Sequence, residues 1–312
     1  MKTAFLFPGQ GAQFVGMGKD IAEQSAVGAD VFKRADDVAG FELSRICFEG
    51  TEEKLNTTTI SQPAIFVTSA AILDVLRTQP ATKGIKVDVT AGLSLGEYTA
   101  LYAAGIIGFE DALRLVLKRG QAMQKAADST EGSMVSIIGL DNDQVEKICN
   151  EARQGELLEA VNFNCPGQIV VSGGKKACSR AADLAEKYGA IKAVELAVAG
   201  AFHTEMMVTA AKSLCEALRG CQISEPDETK IIANIDAEYY KSSQSIRNGL
   251  IKQLVSPILW QKSMERLLAD GVENFYEIGP GRVLTALMKR INRKTRVVNL
   301  SSMVSLTKLV NS

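Results

Sequence analysis

TAGLSLGEYTALYAAG, residues 90–105, reads as a strand that stops abruptly and a helix that begins at once. Ser94 stands at the junction, between Gly92 and Gly96, in the G-x-S-x-G pattern of a nucleophile elbow. Glycines suit such a corner because a side chain at either position collides with neighbouring backbone. The turn exposes the serine hydroxyl, and the free N–H groups at the start of the following helix point toward it. Ser94 is therefore expected to be a nucleophile. A serine that N-caps the helix is the alternative, and it is compatible with the same turn.

Outward from the elbow, helical and extended patterns alternate, the mark of an α/β protein with a mainly parallel sheet. TAFLF (3–7) is a short apolar strand closed by Pro8-Gly9, and VDVTAGL (87–93) feeds Ser94. ENFYEI (273–278) is a strand, Gly279-Pro280-Gly281 a turn, and 282–291 a helix. The middle differs. From about residue 133 the order is SMVSIIGL (strand), DNDQVEKICNEAR (helix), LLEAVNFN (strand) and a Pro166-Gly167 turn. QIVVSGG (strand), KKACSRAADLAEKYG (helix) and AIKAVELA (strand) follow. This β-α-β-β-α-β succession is the ferredoxin-like plan. The expected organisation is a large α/β domain of residues 1–128 and 198–312, with a small ferredoxin-like subdomain, 129–197, inserted into it.

The 312 residues are 46% hydrophobic and 23% charged, an ordinary globular composition. A formal net charge of −1 argues against a nucleic-acid binder. No apolar run is read as approaching the roughly 20 residues that span a bilayer. MKTAFLFPGQG, broken by Pro8, does not read as a signal peptide. The six cysteines have no C-x-x-C pair and no nearby histidine, so neither a metal site nor a disulfide framework is expected. Reduced thiols packed as small hydrophobes point to a cytoplasmic protein.

A serine hydroxyl needs a general base at neutral pH. The chain has one histidine, His203 in AVAGAFHTEMM. A lone histidine is more often structural, but beside an elbow it is the one imidazole that can serve. Serine first and histidine late also suits an α/β-hydrolase-like arrangement. Asp183, Glu195 and Glu205 lie in the vicinity without a recognisable third-member motif. Orientation of His203 by backbone carbonyls therefore stands beside a full triad.

FPGQGAQ (7–13) closes the first strand. It is no dinucleotide loop, since Phe14 stands where glycine or alanine is needed, and no Walker lysine follows. An ordinary loop is one reading. The other is an oxyanion hole made by the N–H groups of Gln10 and Leu95.

FEDALRLVLKRGQAMQKAA (109–127) is a helix with Glu110 and Asp111 in its first turn, where the dipole favours them. Its apolar stripe runs through Leu113, Val116, Leu117, Gly120 and Met123. Arg119 flanks that stripe beside Ala112, Val116 and Met123, whereas Arg114 and Lys118 face the other way. An inward arginine wants a buried carboxylate or a bidentate anionic ligand. The helix alone leaves both open.

FPGQGAQ, GLSLGEY, LVLKRGQAMQ, VNFNCPGQIVVSGG, GAFHTEMM, QLVSPILW and YEIGPGRVLTAL follow one another from end to end. Together they closely resemble the malonyl-CoA:acyl-carrier-protein transacylases of fatty acid synthesis. The resemblance implies an α/β-hydrolase-like large domain with an inserted ferredoxin-like subdomain. It implies transfer of malonyl from malonyl-CoA to the phosphopantetheine thiol of acyl carrier protein, through a malonyl-serine and without a cofactor. Ser94 would take the malonyl ester and His203 would be its base, its other nitrogen held by a backbone carbonyl near Gln253. Arg119 would clamp the malonyl carboxylate, and Gln10 and Leu95 would form the oxyanion hole. Asn162, Asn164 and Gln253 would line the cleft.

Leu93 departs from the resemblance, standing where histidine usually precedes the nucleophile. Phe202, before His203, is similar to the malonyl-selective form, its ring leaving little room for an α-methyl branch. The run KRINRKTR (289–296) is read either as a landing site for an acidic carrier protein or as a solvated helix end. A monomer is expected. The rival readings are a serine esterase of the same architecture, which has no need of an inward arginine, and a non-catalytic acyl-binding module.

Overall fold

The two strands expected on either side of the active centre lie next to each other. The computed structural model describes residues 1–82 and 84–311. β1 (Lys2–Phe7) runs parallel to β2 (Val89–Gly92), with Phe7 opposite Gly92. The loops carrying Gln10 and Ser94 thus leave neighbouring strands at the same edge, the carboxyl end of the sheet, where open α/β folds bind their ligands. β3 (Gly132–Ile138), β4 (Leu158–Cys165), β5 (Gln168–Gly174) and β6 (Lys192–Glu195) follow in the chain. β7 (Lys230–Ile231), β8 (Val272–Ile278) and β9 (Val297–Leu300) come last.

The parallel sheet has the order β7-β2-β1-β8-β9. Its central strands read as near-continuous apolar runs because both faces are covered. Along β1, Phe5 and Phe7 join the core that packs the helices Thr58–Thr78 and Phe109–Asp128, whereas Ala4 and Leu6 face Trp260, Met264 and Leu284. The period-2 alternation of a strand sends successive side chains to the two layers.

The helix Thr58–Thr78 corrects one expectation. Its 21 residues are long and apolar enough to cross a membrane by length and composition, yet 83% of its most apolar 18-residue stretch is buried inside the fold. It is a core helix, apolar all round because it is covered all round.

β3 to β6 form a separate antiparallel sheet of order β4-β5-β3-β6. The helices Asn142–Arg153 and Lys175–Lys187 cover it, and Val145, Ile148 and Ala181 meet Val135, Ile137 and Val171 in a core of their own. This is the β-α-β-β-α-β plan, with β3 and β5 in the middle. Asp141 and Gln144 close a reciprocal cap at the first of these helices, satisfying two backbone donors. The small sheet meets the rest of the chain through β4, where Phe163 N–H donates to Ile258 O (3.0 Å) and Ile258 N–H to Val161 O (2.7 Å), just before the helix Trp260–Ala269.

Candidate active site

Ser94 sits in left-handed backbone, φ 50°, directly before the helix Gly96–Ala103. Few non-glycine residues adopt such angles, and they cluster at functional sites. A Cβ on Gly92 would stand 1.9 Å from the backbone of Gly96, and one on Gly96 would stand 2.1 Å from Phe7 O. Only glycine fits either place. Asn234 braces the turn from outside the motif: its Oδ1 accepts from Ser94 N–H (2.6 Å) and its Nδ2 donates to Gly92 O (2.7 Å).

His203 also has left-handed backbone, φ 63°, and its Nε2 lies 3.0 Å from Ser94 Oγ. Its Nδ1 lies 2.7 Å from the main-chain carbonyl of Gln253. A carbonyl only accepts, so Nδ1 carries the hydrogen and Nε2 presents its lone pair to the serine. The ring is oriented by a backbone carbonyl rather than a carboxylate, which decides between the alternatives left open above. Ser172 of β5 fixes the loop by donating to Phe202 O (2.9 Å). Burial, then the nearby Arg119 cation, lower the His203 pKa to about 4, against the opposing pull of the Gln253 carbonyl. The imidazole is neutral at pH 7 and able to accept a proton.

Arg119 leans inward as its place on the helix suggests, and is 1% exposed. Its Nη1 donates to Gln62 Oε1 (2.6 Å), and its Nη2 to Gln253 Oε1 (2.9 Å) and Ser94 Oγ (2.9 Å). Every one of these acceptors is neutral, and Nε has no partner. Burial lowers its pKa, opposed by Tyr98 and Glu97, but a guanidinium stays protonated in proteins. It is a buried cation bonded only to neutral oxygens, beside an open cavity. That arrangement suits an incoming anion.

The cavity measures about 270 Å³ and is lined by Gln10, Leu93, Ser94, Leu95, Arg119, Asn162, Phe202 and His203, among others. The N–H groups of Gln10 and Leu95 donate to no protein acceptor among the described residues, whereas the N–H of Ser94 is taken by Asn234. Two open amides beside the hydroxyl have the makings of an oxyanion hole. Leu93, 9% exposed, gives an apolar wall where a histidine would have been polar. Met123, Met134 and Val198 continue that wall.

Two expected lining residues lie elsewhere. Asn164 is buried and does not line the cavity, which Asn162 two positions earlier in β4 does. Gln253 is wholly buried behind the wall, where it holds His203 and Arg119 from the far side. Gln62, Glu97, Asn234 and Tyr240 are unforeseen partners. Tyr240 Oη donates to Glu97 Oε1 in a short bond, and Gln253 Nε2 donates to Glu97 Oε2 (2.6 Å) and Ser94 O (2.9 Å). Burial raises the Glu97 pKa to about 7, against the pull of these donors. Of the basic run, Arg290 is committed to the β4–β5 turn through Pro166 O, Gly167 O and Gln168 Oε1.

Comparison with known proteins places the chain in one family. The family model of the acyl transferase domain matches residues 4–309. A malonyl CoA-acyl carrier protein transacylase of Bacillus subtilis is 42% identical over 301 residues, covering 96% of this chain and 93% of its own. Among solved structures, the malonyl CoA-acyl carrier protein transacylase of Coxiella burnetii superposes with TM-score 0.95 at 34% identity, covering 100% of this chain and 97% of its own. A malonyl-transacylase solved in complex with its type II polyketide acyl-carrier protein superposes with TM-score 0.94 at 39% identity, covering 100% and 99%.

Proposed function

The chain belongs to the acyl transferase family, which includes the malonyl CoA-acyl carrier protein transacylases, and from that premise we propose that it moves malonyl from malonyl-CoA to acyl carrier protein. The observation that carries the reading is the Arg119 guanidinium, bonded only to neutral oxygens and touching Ser94 Oγ at 2.9 Å. In a malonyl ester one methylene separates the ester carbonyl from the carboxylate. A cation beside the ester oxygen is well placed to receive so short an acid.

His203 Nε2 takes the Ser94 proton as Oγ attacks the thioester carbonyl. The oxyanion rests between the N–H groups of Gln10 and Leu95. The carbon–sulfur bond then breaks, and His203 returns the proton to the departing CoA thiolate. The phosphopantetheine thiol attacks the malonyl-serine in the reverse sequence, a ping-pong scheme. The acyl group travels on Ser94 throughout, so the chemistry calls for no cofactor. Phe202 and Asn162 border the acyl and pantetheine path.

The division into a catalytic part (1–128 and 198–312) and a small subdomain (129–197) belongs to the same reading, supported by two sheets with separate cores. So do a monomeric state and a cytoplasmic location, the latter supported by six unpaired cysteines, five of them buried. The acceptor is a carrier protein of fatty acid synthesis. A polyketide carrier is the second reading, favoured by the likeness to the transacylase bound to one. Mixing the enzyme with malonyl-CoA and digesting it is expected to give a malonylated Ser94 peptide that persists until a thiol acceptor is added. Release of free malonate without that intermediate would make it an esterase.

A further inference from the structure

Glu97 is 0% exposed, on the first turn of the helix behind the nucleophile, and does not line the cavity. It accepts from Tyr240 Oη and from Gln253 Nε2 (2.6 Å). A carboxylate only accepts, so it dictates which end of the Gln253 amide faces it. The NH2 end turns to Glu97 and Ser94 O, and Oε1 is left for Arg119. The same glutamine offers its main-chain carbonyl to His203 Nδ1. One buried carboxylate thus bonds the residue that meets all three reactive groups, Arg119, His203 and the main chain of Ser94.

We propose that Glu97 is a positioning residue for malonyl transfer, fixing Gln253 and through it the mutual placement of Arg119, His203 and Ser94. The inference rests on the transfer reading above and adds to it a determinant of acyl selectivity. Malonyl depends on the place of the guanidinium, whereas acetyl, which has no carboxylate, does not. Disturbing the polarity of the Gln253 amide turns a donor toward a donor and displaces Arg119, so malonyl transfer suffers more than acetyl transfer. A role in folding alone would slow both alike.

The test compares wild type, Glu97→Gln and Tyr240→Phe for the rates at which malonyl-CoA and acetyl-CoA acylate Ser94, with thermal unfolding of each protein. Glu97→Gln keeps the shape but no longer dictates the Gln253 amide. It is expected to stay folded and to lower the malonyl/acetyl ratio of kcat/KM by about tenfold. Tyr240→Phe removes one donor from an intact carboxylate, and is expected to lower the ratio by about threefold. It decides the matter if Glu97→Gln does not fold. A ratio unchanged or raised in the folded variants, whatever the common loss of rate, overturns the proposal. Absence of malonyl-serine in the wild type would instead be a failure of the transfer reading itself, so the two failures are distinct.

Discussion

The guanidinium of Arg119 touches the hydroxyl proposed as nucleophile, Nη2 standing 2.9 Å from Ser94 Oγ. A structural arginine would be expected to bond a carboxylate, and this one bonds Gln62, Gln253 and the serine instead. On the proposed reading a substrate carboxylate adds the missing charge, while a neutral acyl group leaves the buried cation without one.

Arg119→Ala is therefore expected to lose malonyl transfer and to gain acetyl transfer in relative terms. Breaking a buried, hydrogen-bonded charge pair costs about 2–5 kcal/mol, so the malonyl/acetyl ratio of kcat/KM is expected to fall by about 30-fold or more. Unchanged preference in a folded variant would refute the clamp.

Asn234→Ala addresses the elbow alone. It removes both bonds that the Asn234 side chain makes to the turn, leaving Ser94 N–H and Gly92 O without that partner. Each unsatisfied buried group costs about 1–3 kcal/mol, part of which appears as misplacement of Oγ, so acylation is expected to slow by about 10- to 100-fold. Both acyl donors slow alike, which sets this variant apart from Arg119→Ala in parallel assays.

The elbow, the inward arginine and the small subdomain were legible because each is local. G-x-S-x-G, the stripe of one helix and the 2-to-3.6 switch of periodicity all lie within short windows. The supports of the site were not. Gln62 lies 57 residues from Arg119, and Asn234 lies 140 from Ser94, so no spacing joins them. The dipeptide Gln62-Pro63 also reads as a helix boundary, since a residue before proline is biased from helical angles. It interrupts what is one helix, Thr58–Thr78. Glu97 directly follows the elbow motif, but an acidic residue in a first helical turn ordinarily serves the dipole in solvent. Its burial depends on Tyr240 and Gln253 arriving from far along the chain.

The pH profile separates two groups. His203 has its pKa lowered to about 4 by burial and the Arg119 cation, so it stays neutral well below pH 6.5. Acetylation of Ser94, which does not use the clamp, is expected to fall on acidification with a midpoint of about 4. Malonylation is expected to weaken earlier, as Glu97, with a pKa of about 7, takes up a proton among Tyr240, Gln253, Asn234 and the Arg119 charge. Glu97→Gln lacks that upper limb. A midpoint near the ordinary imidazole value of about 6.5 for acetylation would contradict the assignment of His203.

In the basic run, Lys289, Arg293, Lys294 and Arg296 are exposed, whereas Arg290 anchors the β4–β5 turn. Reversing Arg293 and Lys294 to glutamate is expected to raise the KM for an acidic carrier protein by about tenfold, with a weakened salt dependence. Malonyl loading from CoA is spared. An unaltered rate with carrier protein would remove this surface from the docking account.

The most direct measurement is the transfer of labelled malonyl from CoA to a phosphopantetheinylated carrier protein, run beside Ser94→Ala. The account predicts label on the carrier thiol by way of Ser94 in the wild type, and none on either protein with the alanine variant. Carrier labelling that survives loss of the hydroxyl would contradict it, for the acyl group would then never have rested on the oxygen that His203 and Arg119 surround.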